Sequence, residues 1–95
     1  MTAYLLVDLD IFDKPGYGEY RQKVGPLIEK HNGKLTHRIS QFEAVEGGWA
    51  PKRLVILEFP DKGRLRAFLD DPDYKPVKAL RLRTANTLMA MGESE

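Results

Sequence analysis

The stretch Lys52-Arg53-Leu54-Val55-Ile56-Leu57-Glu58-Phe59-Pro60 constrains the fold more than any other part of the chain. It is a short apolar run, partly β-branched, closed by a proline that has no N–H to give a sheet ladder. It therefore predicts a buried strand. Successive strand side chains point to opposite faces, so Arg53, Val55, Leu57 and Phe59 lie on one side and Leu54, Ile56 and Glu58 on the other. Both sides are apolar, which places the strand in the middle of a sheet covered on both faces. Glu58 stands apart. A carboxylate in such a position needs a cation, water or a ligand beside it.

The remaining elements follow from the same patterns. Ala3 to Asp10 reads as a first strand, with Ala3, Leu5, Val7 and Leu9 on one face and Tyr4, Leu6, Asp8 and Asp10 on the other. Asp13-Lys14-Pro15-Gly16 opens a helix in which Tyr17, Tyr20, Val24, Leu27, Ile28 and His31 keep helical spacing. Gly25-Pro26 predicts a kink or break in it, and Asn32-Gly33 a left-handed cap. Lys34 to Val45 reads as a second strand, returning through the loop 46–51 as an antiparallel hairpin. Glu58 then falls opposite a residue between His37 and Ser40. Asp61 caps a short helix burying Leu65, Phe68 and Leu69, and Asp71-Pro72 starts another carrying Tyr74, Val77 and Leu80. Thr84 to Met91 is the last strand, followed by a flexible tail over 92–95.

This order, with right-handed crossovers, predicts an α+β fold. It is the ferredoxin-like β-α-β-β-α-β arrangement, with an antiparallel four-stranded sheet and helices on one face. Residues 1–95 make a single domain. Helices on one face cannot cover Tyr4, Leu6, Leu54 and Ile56 on the other. The expected cover is a second copy, giving a homodimer joined through its sheet faces as a dimeric α+β barrel.

Composition limits the partners. With 15 basic and 14 acidic residues the formal net charge is +1, so no bulk field recruits nucleic acid or a membrane surface. The chain has no cysteine, which rules out disulfides, thiolate metal sites and cysteine nucleophiles and fits a cytoplasmic setting. The N-terminus carries neither a signal peptide pattern nor a membrane span. Glycine-rich dinucleotide, phosphate-loop and nucleophile-elbow motifs are absent as well.

The candidate site residues are few. Glu58 with His37 forms the best proton-transfer pair, and Arg38 or Arg53 is placed to orient an anionic or carbonyl group. Pairing of Glu58 with Arg38, or with Arg53 of a second copy, is the plainer structural reading. Trp49 in its glycine-rich loop, with Tyr4 and Tyr20, completes the ligand-binding set. Tyr17 and Tyr74 read as core or pocket wall; Arg53 and Arg81 could clamp a carboxylate, with surface pairing the plainer reading for each. The two histidines, His31 and His37, lack metal-ligand spacing. Neither a metal nor a cofactor is expected, short of a barrel gathering His37 with Asp8, Asp10 or Glu58.

Glu46-Gly47-x-Trp49-x-Pro51-x-Arg53-Leu54-Val55-Ile56-x-Glu58-Phe59-Pro60, with Phe68, Pro72-x-Tyr74 and Lys78-Ala79-Leu80-Arg81 after it, resembles the bacterial family known as domain of unknown function 1330. The likeness runs from the first strand nearly to the end of the chain. That family looks like a member of the dimeric α+β-barrel superfamily, so the resemblance implies the same sheet-to-sheet dimer. The superfamily includes cofactor-independent monooxygenases, lactone isomerases and haem-dependent chlorite dismutases, which constrains fold more than chemistry. Where the family tends to have Ala-Arg-Gly-Gly in its second strand, this chain has Thr36-His37-Arg38-Ile39. The arginine is kept and the glycine pair is not, which implies a pocket of different shape. The expected function is binding of a small organic molecule between sheet and helices, with cofactor-free acid–base or monooxygenase-like chemistry if the protein is an enzyme. The alternative is a non-catalytic dimeric binding or interaction module.

Overall fold

A computed structural model describes all 95 residues. The elements run β1 (Ala3–Ile11), α1 (Lys14–Lys30), β2 (Lys34–Ser40), β3 (Arg53–Phe59), α2 (Lys62–Asp70), α3 (Tyr74–Leu82) and β4 (Ala85–Glu93). The strands form one antiparallel sheet in the order β2-β3-β1-β4, so the two most apolar strands occupy its centre. This is the expected ferredoxin-like arrangement. No helix is long and apolar enough to cross a membrane.

The alternation read from the sequence becomes two unlike sheet faces. Ala3, Leu5, Val7 and Leu9 of β1, with Val55, Leu57 and Phe59 of β3, face the helices and form the core with Tyr17, Tyr20, Val24 and Ile28 of α1. Phe59, Phe68 and Tyr74 continue that core as neighbouring rings, with centroids 5.5 and 4.8 Å apart. The opposite face carries Tyr4, Leu6, Asp8 and Asp10 beside Leu54, Ile56 and Glu58, because each pair is in direct register across β1 and β3. The molecule's shortest extent is 16 Å, which leaves room for one sheet and one layer of helices and no more.

Local chemistry explains the helix boundaries. The Asp13 carboxylate accepts the Gly16 N–H at 3.2 Å to start α1, and the Asp61 carboxylate accepts the Arg64 N–H at 2.8 Å to start α2. Of the kink or break expected at Gly25-Pro26, the break does not occur: α1 continues as one helix through Pro26. Both Pro26 and Gln22, whose carbonyl loses its helical donor, are exposed, a position open to solvent where the missing bond costs least. At the end of α1, Asn32 rather than glycine takes the left-handed conformation, with φ 63°. Gly33 is needed for space. A Cβ there would lie 2.4 Å from Cε2 of the fully buried Phe59 ring.

Three boundaries differ from the sequence reading. β2 ends at Ser40 rather than Val45, so residues 41–52 form a long connection and the hairpin register moves. Glu58 therefore pairs with Lys34 instead of a residue between His37 and Ser40. α3 begins at Tyr74, after the Asp71 carboxylate has accepted the Asp73 N–H at 2.9 Å. β4 reaches Glu93, paired with Ala3, and the Ser94 N–H donates to the Thr2 carbonyl at 2.9 Å. The flexible tail expected over 92–95 is thus largely strand and its continuation.

Candidate functional site

The arginines mark the site. Strand alternation sends Arg53 to the helix side of the sheet, and a β-bulge between Leu35 and His37 sends Arg38 there too, opposite Val55. Without that bulge Arg38 would share a face with Glu58. α1 adds Arg21, one turn beyond Tyr17, and α3 adds Arg81 from its last turn. A cavity of about 50 Å³ lies among them, walled by Val7, Leu9, Val55 and Leu57 of the sheet and by Tyr17, Tyr20, Val24 and Ile28 of α1. Leu35, Arg21 and Arg38 are exposed and form its mouth, while Arg81 is buried at 4 % exposure.

Arg81 is held from behind. Thr84, itself buried, donates its hydroxyl to the Leu80 and Arg81 carbonyls at 3.0 and 3.1 Å, and its own carbonyl receives the Phe12 and Asp13 N–H groups at 3.0 and 3.1 Å. These bonds tie the end of α3 to the start of α1. Arg81 Nη1 donates to the Thr87 hydroxyl of β4, whereas the buried Nε has no acceptor. None of Arg21, Arg38, Arg53 and Arg81 lies within 4.0 Å of a carboxylate.

The phenols respond to this setting. Burial pushes the Tyr17 hydroxyl upward, opposed by the positive charges of Arg21, Arg53, Arg81 and Arg38. Tyr20 rises well above the ordinary phenol range through burial and through the neighbouring Tyr74 hydroxyl. Both are neutral hydrogen-bond donors and acceptors at physiological pH. The cavity thus presents apolar walls, neutral hydroxyls and cations, with no carboxylate and no imidazole among its lining residues. Such a surface binds and polarises, but it holds no ordinary general base.

The residues expected from sequence divide between the two faces. Arg38 and Tyr20 line the cavity, and Arg53 adjoins it in a shallow recess with Tyr17 and Arg21. Glu58, His37 and Tyr4 lie on the far face, where they share a shallow depression with Leu6, Thr36 and Ile56. Glu58 meets Lys34 at 3.5 Å rather than Arg38, and His37 Nδ1 lies 3.1 Å from the Thr36 hydroxyl, which in turn donates to the Ile56 carbonyl at 3.2 Å. His37, Asp8, Asp10 and Glu58 form no cluster able to hold a metal ion. Trp49 stands 64 % exposed in the 41–52 connection, away from both sites. Sequence reading put surface pairing ahead of a carboxylate clamp for Arg53 and Arg81, and it gave Arg21 no role. The signal that was present, four arginines and two tyrosines with no acid among them, becomes visible only when the elements meet.

A second buried charged side chain lies elsewhere. Asp71 receives Lys30 Nζ at 2.9 Å, His31 Nε2 at 2.8 Å and the Asp73 N–H, and these bonds hold its carboxyl well below the usual carboxylate range. It joins the end of α1 to the α2–α3 junction.

The chain matches the family described as Domain of unknown function (DUF1330) over residues 2–93. It belongs to this family. Among solved structures, the DUF1330 chain is similar to a protein of unknown function from Rhodopseudomonas palustris, at 17 % identity and TM-score 0.80 over 99 % of this chain and 82 % of that one. It is also similar to a dimeric ferredoxin-like protein of unknown function from Jannaschia sp. CCS1, at 16 % identity and TM-score 0.72 over 99 % and 100 % of the two chains. SnoaB, a cofactor-independent oxygenase from Streptomyces nogalater, shares the fold at 8 % identity and TM-score 0.71 over 99 % and 93 %. Identities this low carry the fold and leave the chemistry open. No protein of curated function matches the chain.

Proposed function

We propose that this DUF1330 protein is a homodimer, joined through the open faces of two sheets, that binds a small organic molecule between the sheet and the helices. The observation that carries the reading is the cavity under Tyr17 and Tyr20, lined mostly by apolar side chains together with the guanidinium groups of Arg21, Arg38 and Arg81. The dimer rests on the open face, where Leu6, Ile39 and Leu88 are 36, 38 and 75 % exposed, and on the dimeric state given for the Jannaschia protein. A cytoplasmic setting belongs to the same proposal and rests on a chain without cysteine.

Binding is favoured over proton transfer because the cavity has no base. Catalysis is the second reading, favoured by the depression that Glu58, His37 and Tyr4 share on the open face. There Glu58 and His37 would exchange a proton with a small molecule without a cofactor; SnoaB, a cofactor-independent oxygenase, has this fold. A thermal-shift screen against small metabolites, repeated on Val24→Phe to fill the cavity, separates the two. Hits lost in Val24→Phe support binding there. Hits lost instead in Glu58→Gln support the open-face site, and silence across a broad library counts against both.

A further inference from the structure

We infer that the cavity receives the carboxylate end of its ligand, held by Arg81 at the inner end and Arg38 at the mouth. This rests on the binding reading above and names its substrate class, small organic acids.

Arg81 carries the argument. A guanidinium that is 4 % exposed has left water behind and needs acceptors in return. Thr87 supplies one to Nη1, and the Nε edge has none. The end of the α3 macrodipole compensates part of the charge, but it offers no acceptor to Nε. Buried arginines in folded proteins ordinarily meet a carboxylate in a fork of paired hydrogen bonds.

The chain keeps its own acids out of reach. Asp8, Asp10 and Glu58 sit at positions whose alternation sends them to the open face, while the bulge in β2 and the register of β3 send Arg38 and Arg53 to the helix side. Arg21 adds a further cation, 5.8 Å above the Tyr17 ring. Arg21, Arg38 and Arg81 line the cavity with no acid among them and Arg53 adjoins it, so an anion entering there relieves their mutual repulsion.

Size and shape narrow the anion. A cavity of 50 Å³ compares with roughly 10–15 Å³ for one water on the same measure. It therefore admits a carboxylate and a short stem, with any longer tail leaving past Leu35. Apolar walls strip water from whatever enters, which penalises a phosphate dianion more than a carboxylate monoanion. The planar guanidinium edge matches the planar carboxylate.

Matched acid and amide pairs test the assignment. Propionate, hexanoate and benzoate are titrated against propionamide, hexanamide and benzamide by calorimetry and thermal shift at constant ionic strength, with inorganic phosphate alongside. The proteins are the wild type, Arg38→Ala and Arg81→Met. The expected result is at least tenfold tighter binding of an acid than of its amide, with each variant losing that preference and keeping the amide's weak affinity. Arg38 is exposed, so Arg38→Ala preserves the test should Arg81→Met not fold. Amides that bind as tightly as their acids overturn the carboxylate assignment and leave the cavity reading standing. Phosphate that binds more tightly than every carboxylate overturns it too. Failure of all seven compounds to bind the wild type overturns both.

Discussion

Replacing Arg81 with methionine separates a residue kept for a ligand from one kept for the fold. Methionine preserves most of the aliphatic stem and removes the guanidinium. Two terms then oppose each other. Relief of a buried donor without an acceptor is worth about 1–3 kcal/mol, and loss of the charge-assisted bond to Thr87 costs about 1.5–3 kcal/mol. Thr87 is only half-buried, so water replaces its lost donor and the second term falls toward its lower end. The net change is within about 1 kcal/mol, a Tm shift of less than roughly 8 °C for a chain of this size. A structural arginine paired with a buried acid would instead cost about 3–5 kcal/mol when removed. Repulsion from Arg21, Arg38 and Arg53 adds a salt dependence. The Debye length grows from about 10 Å at 0.1 M to about 30 Å at 0.01 M, so the variant gains on the wild type as salt is lowered. Thermal melts at both ionic strengths read the two effects together. A fall in Tm of more than roughly 12 °C that is indifferent to salt would refute the reasoning, since it would show Arg81 to be a satisfied member of the core.

Other perturbations test the remaining links. Gly33→Ala drives a Cβ to 2.4 Å from the Phe59 ring and should cost about 1–3 kcal/mol in denaturant unfolding, partly recovered in the Gly33→Ala/Phe59→Leu double variant; a single variant as stable as the wild type would remove the close-approach explanation. Ile56→Asp places a carboxylate at the centre of the proposed dimer face and should weaken association at least about 100-fold, a change that light scattering over a dilution series detects and that an unaltered dimer would contradict. The Asp71 carboxyl titrates lower in the folded chain than its ordinary value of 3.8, so its contribution is complete above about pH 4 and is lost as pH falls below that. The stability gap between wild type and Asp71→Asn should therefore narrow from pH 5 to pH 2, and a gap that stays constant would show the Lys30 and His31 contacts to be energetically idle.

Strand and helix identity were legible in the chain because they rest on local periodicity. β1 and β3 alternate on a period of two, α1 keeps its tyrosines and aliphatics at helical spacing, and aspartates stand where helices begin. The open apolar face could be inferred for the same reason, since Leu6 and Ile56 follow from alternation alone; Leu54, expected there without cover, is already buried within the single chain. Register could not. A single bulged residue in β2 and a connection that starts at Gln41 moved Glu58 from Arg38 to Lys34, and nothing local encodes either. The same bulge turned Arg38 away from Glu58 and toward the cavity, so the expected Glu58–Arg38 ion pair was divided between opposite faces, while Glu58 and His37 stayed on one. Arg81 shows the limit most clearly. Its neighbours in sequence describe the end of a helix with basic residues, which ordinarily faces water. Its burial depends on where α3 crosses α1 and on Thr84 fastening that crossing, contacts made between residues far apart in the chain. The sequence by itself determined which segments are strands and helices and that one sheet face would be left apolar and open. Only the tertiary structure decided which charges share a cavity, because a side chain's partners are set by packing between distant elements, while its conformational preference is set by its neighbours along the backbone.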